Sequence, residues 1–221
     1  MGELVYRSNV HQDWVSLIFL INLLLVSALF YLDPVRLRRL IRFYATTLYI
    51  SKHSSEKNLN FLSPFNLVSF LIVINSLCLF FLSFSSQINK PIVFAFEYYY
   101  LLVGLFIFLS LRFFFIQFVV GQLRLLRALK LSYFRSFTHH VQFALLFLII
   151  LFIDFYANLP TSISIVIFLF LGSLWFIYQA RIIISIFNSR PRDVVYIFIY
   201  LCTLKIIPWY WFYTLLIELE F

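Results

Sequence analysis

Long apolar stretches separated by short polar ones set the pattern of this chain. A helix that crosses a bilayer needs about 20 mostly apolar residues. Six stretches meet that need: 14–32, 65–84, 93–111, 141–157, 162–180 and 194–216. Asp33-Pro34 ends the first, and Asn158-Leu159-Pro160 closes the fourth. Pro64 stands beside the start of the second, where its missing N–H costs little. None of the six alternates apolar with polar residues, so membrane strands fit poorly. The expected architecture is all-α: a polytopic transmembrane helix bundle of six spans, with residues 1–221 forming a single transmembrane domain.

The connections between these stretches carry an independent signal. The first holds Arg36, Arg38, Arg39, Arg42, Lys52 and Lys57, whereas the second holds only Lys90. The third holds Arg112, Arg124, Arg127, Lys130 and Arg135, the fourth no basic residue, and the fifth Arg181, Arg190 and Arg192. Lys and Arg accumulate in cytoplasmic loops. The alternation therefore places the first, third and fifth connections in the cytoplasm and both termini on the far side. Trp14, Tyr98, Tyr99, Tyr156, Trp209, Trp211 and Tyr213 then gather toward the outer interface, as aromatic belts do. The first span is expected to stay in the mature protein, because no small-residue cleavage site precedes Asp33.

Composition agrees. The chain has 221 residues, 63% apolar and only 12% charged, where soluble domains average roughly 25% charged. Its 30 Phe and 14 Tyr fit lipid exposure. The net charge of +8 is loop charge facing an anionic leaflet, and no loop is long enough to fold as a nucleic-acid-binding module. Cys78 and Cys202 fall inside spans and read as small buried apolar residues.

Two basic segments are longer than a turn. From Arg36 to Ile50, apolar residues recur at 37, 40, 41, 44 and 48 with arginines between. That spacing predicts an amphipathic helix on the cytoplasmic leaflet. Arg36, Arg38, Arg39 and Arg42, with Arg124 and Arg127 of the next basic segment, are the candidate membrane-surface or partner-docking residues. Residues 112–134 either extend the third helix or lie along the interface. Adjacent His139 and His140 point different ways on a helix, so they read as interfacial histidines rather than metal ligands.

Ionisable residues within spans are costly and mark candidate sites. Lys205 stands mid-span, and Pro208 three residues later breaks a backbone hydrogen bond and bends the helix. Asp154 and Glu97 lie near the outer ends of their spans. A lysine stem from 205 reaches the depth of Asp154, which makes Lys205, Asp154, Glu97 and Pro208 the candidate intramembrane polar site. A structural ion pair, a lysine at a subunit interface, and a substrate or proton path all remain open for it. In the second span, Asn66, Ser69 and Ser76 share one helix face and are expected to bond to neighbouring helices.

The chain lacks a phosphate-cradling glycine loop, HExxH, CxxC and GxSxG. With four glycines in all, it has no GxxxG packing motif. The run Arg190-Pro191-Arg192-Asp193 followed by VVYIFIYLCTLKIIPWYWFYTLL, with LSPFNLVSF earlier, resembles an uncharacterised multi-pass membrane family of Gram-negative bacteria, a domain of unknown function. The likeness runs from about residue 60 onward. The family pattern has an acid before the proline where this chain has Lys205, so a catalytic carboxylate is not implied there. The resemblance implies an inner-membrane location and no activity.

These features together lead to the expectation of a non-enzymatic inner-membrane subunit that scaffolds or anchors a cell-envelope complex for secretion, motility or envelope assembly. The alternative is a small transporter or lipid-handling protein with its polar site around Lys205. Expected partners are the lipid bilayer and other proteins of a membrane complex, with no nucleic acid, no cofactor and no metal.

Overall fold

The structure, a computed structural model, describes residues 13–42, 46, 50, 63–87, 95–122, 126–157 and 160–189. Among these the chain is all-helical. The long elements are α1 (Asp13–Leu32), α2 (Pro34–Ile41), α3 (Pro64–Gln87), α4 (Ala95–Gln122), α5 (Leu126–Ala157) and α6 (Thr161–Ser189).

Proline and its neighbours set the breaks. A residue before proline is driven out of the helical region, and Asp33 accordingly has φ −158° and ψ 89°. That single extended residue joins α1 to α2. Its carboxylate accepts the Arg36 backbone N–H at 2.9 Å and so caps α2, whose first residue is Pro34. Pro160 immediately precedes α6, its carbonyl accepting from the N–H groups of Ile163 and Ser164.

Four helices are long and apolar enough to cross a membrane: Trp14–Leu32, Pro64–Ser83, Leu131–Ala157 and Ser162–Ile182. A shorter apolar stretch, Tyr98–Leu111, lies within α4. Three of these helices thus coincide almost residue for residue with the first, second and fifth apolar stretches of the sequence. The fourth begins at Leu131 rather than 141, because α5 is 32 residues long, or about 48 Å. Of the basic segment 112–134, residues 123–125 lie outside the described residues. Residues to Gln122 continue α4, and those from Leu126 already belong to α5. Polar and arginine-bearing sequence therefore prolongs both helices instead of forming a loop. The sixth span, 194–216, lies outside the described residues.

Helix α3 is the hub, touching α1, α4, α5 and α6. Of its apolar span 56% is buried, against 22% for those of α1 and α6. The core gathers Leu29 of α1, Ile72, Ile74 and Cys78 of α3, Leu105 of α4, Phe134 and Val141 of α5, and Phe168 of α6. Outside it, Leu17, Leu20, Leu23 and Leu24 of α1, with Val166, Leu169, Phe170 and Phe176 of α6, stand exposed. In water so large an apolar face would aggregate; lipid is its fitting solvent. Gly104 and Gly172 have open space where a Cβ would sit, so close glycine packing does not hold these helices together.

Candidate functional site

The buried polar side chains fall into three groups at three depths of the bundle. At the Trp14 end, Asp154 on α5 is half-buried. Its carboxylate accepts hydrogen bonds from Ser83 of α3, at 3.3 Å, and from Ser164 of α6. Nearby, the hydroxyls of Ser16 and Tyr156 share a 2.6 Å bond between α1 and α5. Trp14 packs against Tyr98 with ring centroids 5.6 Å apart, while Trp209, Trp211 and Tyr213 of the expected aromatic belt lie outside the described residues.

From that end Tyr98 of α4 reaches inward and donates to Asn75 of α3 at 3.2 Å, and Asn75 donates to Asn22 of α1 at 3.4 Å. Asn22 in turn donates to the carbonyl of Ile18, 2.9 Å away. Three helices are linked by one chain of amides and a phenol.

The largest group lies at the opposite end, around Arg36 and Gln142. Arg36 faces inward from α2 and is only 4% exposed. Its guanidinium donates to Asn66 Oδ1 at 2.7 Å and stands 4.1 Å above the Phe65 ring. Gln142 on α5 is 1% exposed. Its Nε2 donates to the carbonyl of Leu40 at 2.7 Å and to Thr46 Oγ1 at 3.0 Å. One of the free carbonyls at the C-terminal end of α2 is satisfied in this way. That short contact to a carbonyl fixes the amide orientation, so Oε1 faces His139 Nδ1 at 3.1 Å. His139 must then carry its proton on Nδ1. His140 is the next residue, and its Nδ1 lies 2.6 Å from the Ser136 carbonyl one turn back, which also requires a proton there. Gln179 of α6 completes the group, accepting from Ser136 Oγ at 2.7 Å, with its Nε2 3.2 Å from His140 Nδ1. Tyr178 packs on His139 and Trp175 meets His140 edge-on, with centroids 5.1 and 5.4 Å apart.

The residues singled out from the sequence are distributed as follows. Asp154 holds its two hydroxyl donors. Glu97 lies in the first turn of α4 and Arg127 in that of α5. Lys205, Pro208 and Arg124 lie outside the described residues, and with them the pairing of Lys205 with Asp154. Arg38 and Arg42 are exposed and Arg39 is half-buried. Arg36 departs from the surface role expected of it, because Leu37 and Leu40 turn its face of α2 into the bundle. Asn66, Ser69 and Ser76 are buried on one face of α3, and Ser76 donates to the carbonyl of Ala144 on α5 at 3.1 Å. The interhelical bonding expected of that face is present at Asn66 and Ser76, whereas Ser69 donates to the carbonyl of Phe65 within α3.

Gln142, Thr46 and Gln179 were not legible as a cluster. One signal was available: Ser136, His139, His140 and Gln142 recur at three- and four-residue spacing, which puts them together once α5 is known to begin at Leu126. Among the described residues no three His, Cys, Asp or Glu converge to hold a metal ion.

A family model described as a domain of unknown function, DUF4271, matches residues 15–216. No curated protein and no solved structure matches the chain.

Proposed function

The chain belongs to that family, DUF4271, whose description names no activity, and from this premise we propose that it is a non-enzymatic integral subunit that anchors or scaffolds a larger cell-envelope complex. One observation carries the proposal: the buried polar side chains bridge helices. Arg36–Asn66 ties α2 to α3, Gln142 ties α2 to α5, Ser136–Gln179 ties α5 to α6, and Asn75 ties α1, α3 and α4 together. Such bonds are worth about 0.6–1.7 kcal/mol each between membrane helices. They favour a fixed body with apolar flanks, as suits an anchor. In this proposal the chain crosses the bacterial inner membrane six times as a single domain. Its arginine-bearing end faces the cytoplasm, and both termini face the periplasm.

Affinity purification of the full chain from native membranes in mild detergent tests this role, with partners identified by mass spectrometry. Defined envelope proteins recovered in fixed ratio are the expected result. A chain recovered alone at stoichiometric purity would count against it.

A second reading, a small transporter or lipid-handling protein, is favoured by Asp154. This carboxylate lies within a spanning helix and takes hydroxyl donors from two others. Lys205→Ala then abolishes transport while leaving protein level intact. Equal loss of protein and function would mark Lys205 as structural.

A further inference from the structure

The outward face of α2 is built differently from its inward face. Arg36, Leu37 and Leu40 are buried, whereas Pro34, Val35, Arg38, Ile41 and Arg42 are exposed. The helix is held at three points. Asp33 caps its N-terminus, Arg36 bonds Asn66 on its flank, and the Gln142 amide takes the Leu40 carbonyl at its C-terminal end. The exposed face is therefore fixed relative to the bundle. Arg38 and Arg42 stand one helical turn apart, with Cβ atoms about 5–6 Å from each other. Among the described residues neither arginine has a partner, and the neighbouring carboxylate of Asp33 is engaged as the cap.

Depth is set by α1. Its apolar span of 19 residues is about 28 Å long, close to the roughly 30 Å hydrocarbon thickness of a bilayer. Asp33 follows at once, so α2 sits where acyl chains give way to headgroups. Val35 and Ile41, each 53% exposed, suit the acyl side of that boundary. The two guanidinium groups suit phosphate, which they bind through paired N–H donors.

We infer that the outward face of α2 is a binding site for the phosphodiester headgroup of an anionic phospholipid, with Arg38 and Arg42 as its clamp. The site requires only that this end of the bundle lie at the lipid boundary, so it stands apart from the subunit role proposed above.

The test uses the full chain in zwitterionic mixed micelles at about 150 mM salt, where long-range surface attraction is screened. Phosphatidylglycerol or phosphatidylcholine is titrated in, and bound lipid is counted by native mass spectrometry. Each arginine near an anionic surface contributes roughly fivefold. Phosphatidylglycerol is therefore expected to bind about 25-fold more tightly than phosphatidylcholine. The double variant Arg38→Gln/Arg42→Gln should lose that preference, and Arg38→Lys/Arg42→Lys should keep part of it. Arg181→Gln, an exposed arginine on α6, should leave it unchanged. The proposal is overturned if the wild-type chain shows no preference, or if the double glutamine variant retains it. Equal loss in Arg181→Gln also overturns it, since the effect would then be net charge. So does displacement by soluble glycerol phosphate at matching concentration, which would mark a free-anion site.

Discussion

Replacing Gln142 by leucine removes three close hydrogen bonds, and a longer one of 3.4 Å from Thr46 Oγ1 to Oε1, with little change of volume. The amide donates to the Leu40 carbonyl and to Thr46 and accepts from His139, at 2.7, 3.0 and 3.1 Å. With the side chain 1% exposed, water does not replace it. A buried donor or acceptor left unpaired costs about 1–3 kcal/mol in a soluble protein. Interhelical bonds in membranes average about 0.6 and reach about 1.7 kcal/mol. Leucine gains little in return, because it leaves one apolar medium for another. Three such losses total about 2–5 kcal/mol, or roughly 4–20 °C in Tm for a chain of this size. The measurement is a thermal melt in mild detergent, read as the monodisperse fraction on size exclusion. A second readout separates local from global effects. Freed from its Leu40 contact, the C-terminal end of α2 should lift, and trypsin should cut after Arg39 and Arg42 faster than in the wild-type chain. His139→Phe, which removes only one of the three bonds, should cost about a third as much. A Gln142→Leu melt within 1 °C of the wild type, with unchanged trypsin cleavage, would refute the assignment of this amide as the fastener of α2.

Other substitutions probe the remaining contacts. Asn66→Leu takes a hydrogen-bond acceptor from a buried guanidinium and should cost about 1.5–3 kcal/mol by the same melt; a double-mutant cycle with Arg36→Met should show most of that loss to be coupling between the two. Asp154→Asn keeps an acceptor for one of the two serine hydroxyls and offers the other an N–H to accept, so it should cost less than about 1 kcal/mol, whereas Asp154→Leu leaves both hydroxyls without a partner there and should cost about 1–2 kcal/mol, as read by melting and protein level. Gly104→Ala and Gly172→Ala place a methyl group in open space on helices and should each stabilise by about 0.5–1 kcal/mol, visible as a small rise in Tm.

Uniformly apolar helices are legible because lipid leaves the chain no alternative. A backbone in hydrocarbon must satisfy its own hydrogen bonds, so length and hydropathy fix Trp14–Leu32 and Ser162–Ile182 directly. Helix ends written in proline were equally readable, at Asp33-Pro34 and at Pro160. The start of α5 was not. Residues 126–140 mix Arg, Lys, Ser, Thr and His with apolar residues, and hydropathy alone gives no reason to extend a helix through them. The sequence-level candidates also leaned toward charge. Asp154 was found that way, whereas Gln142 and Gln179, neutral and single, gave no such mark and prove to be among the best-connected side chains.

Sequence by itself determined that this is an all-helical chain fit for a membrane, where three of the six expected apolar helices begin and end, and that basic residues gather at alternate connections. Each of those follows from local composition, since the cost of placing a residue in lipid is paid residue by residue. Only the tertiary structure decided that Arg36 turns inward while Arg38 and Arg42 face out, and that Gln142 closes the end of α2. It also decided that Asp154 bonds to α3 and α6. Those contacts join residues up to 102 positions apart. Helical periodicity sets which residues share a face, but the neighbour that face meets depends on how the helices pack.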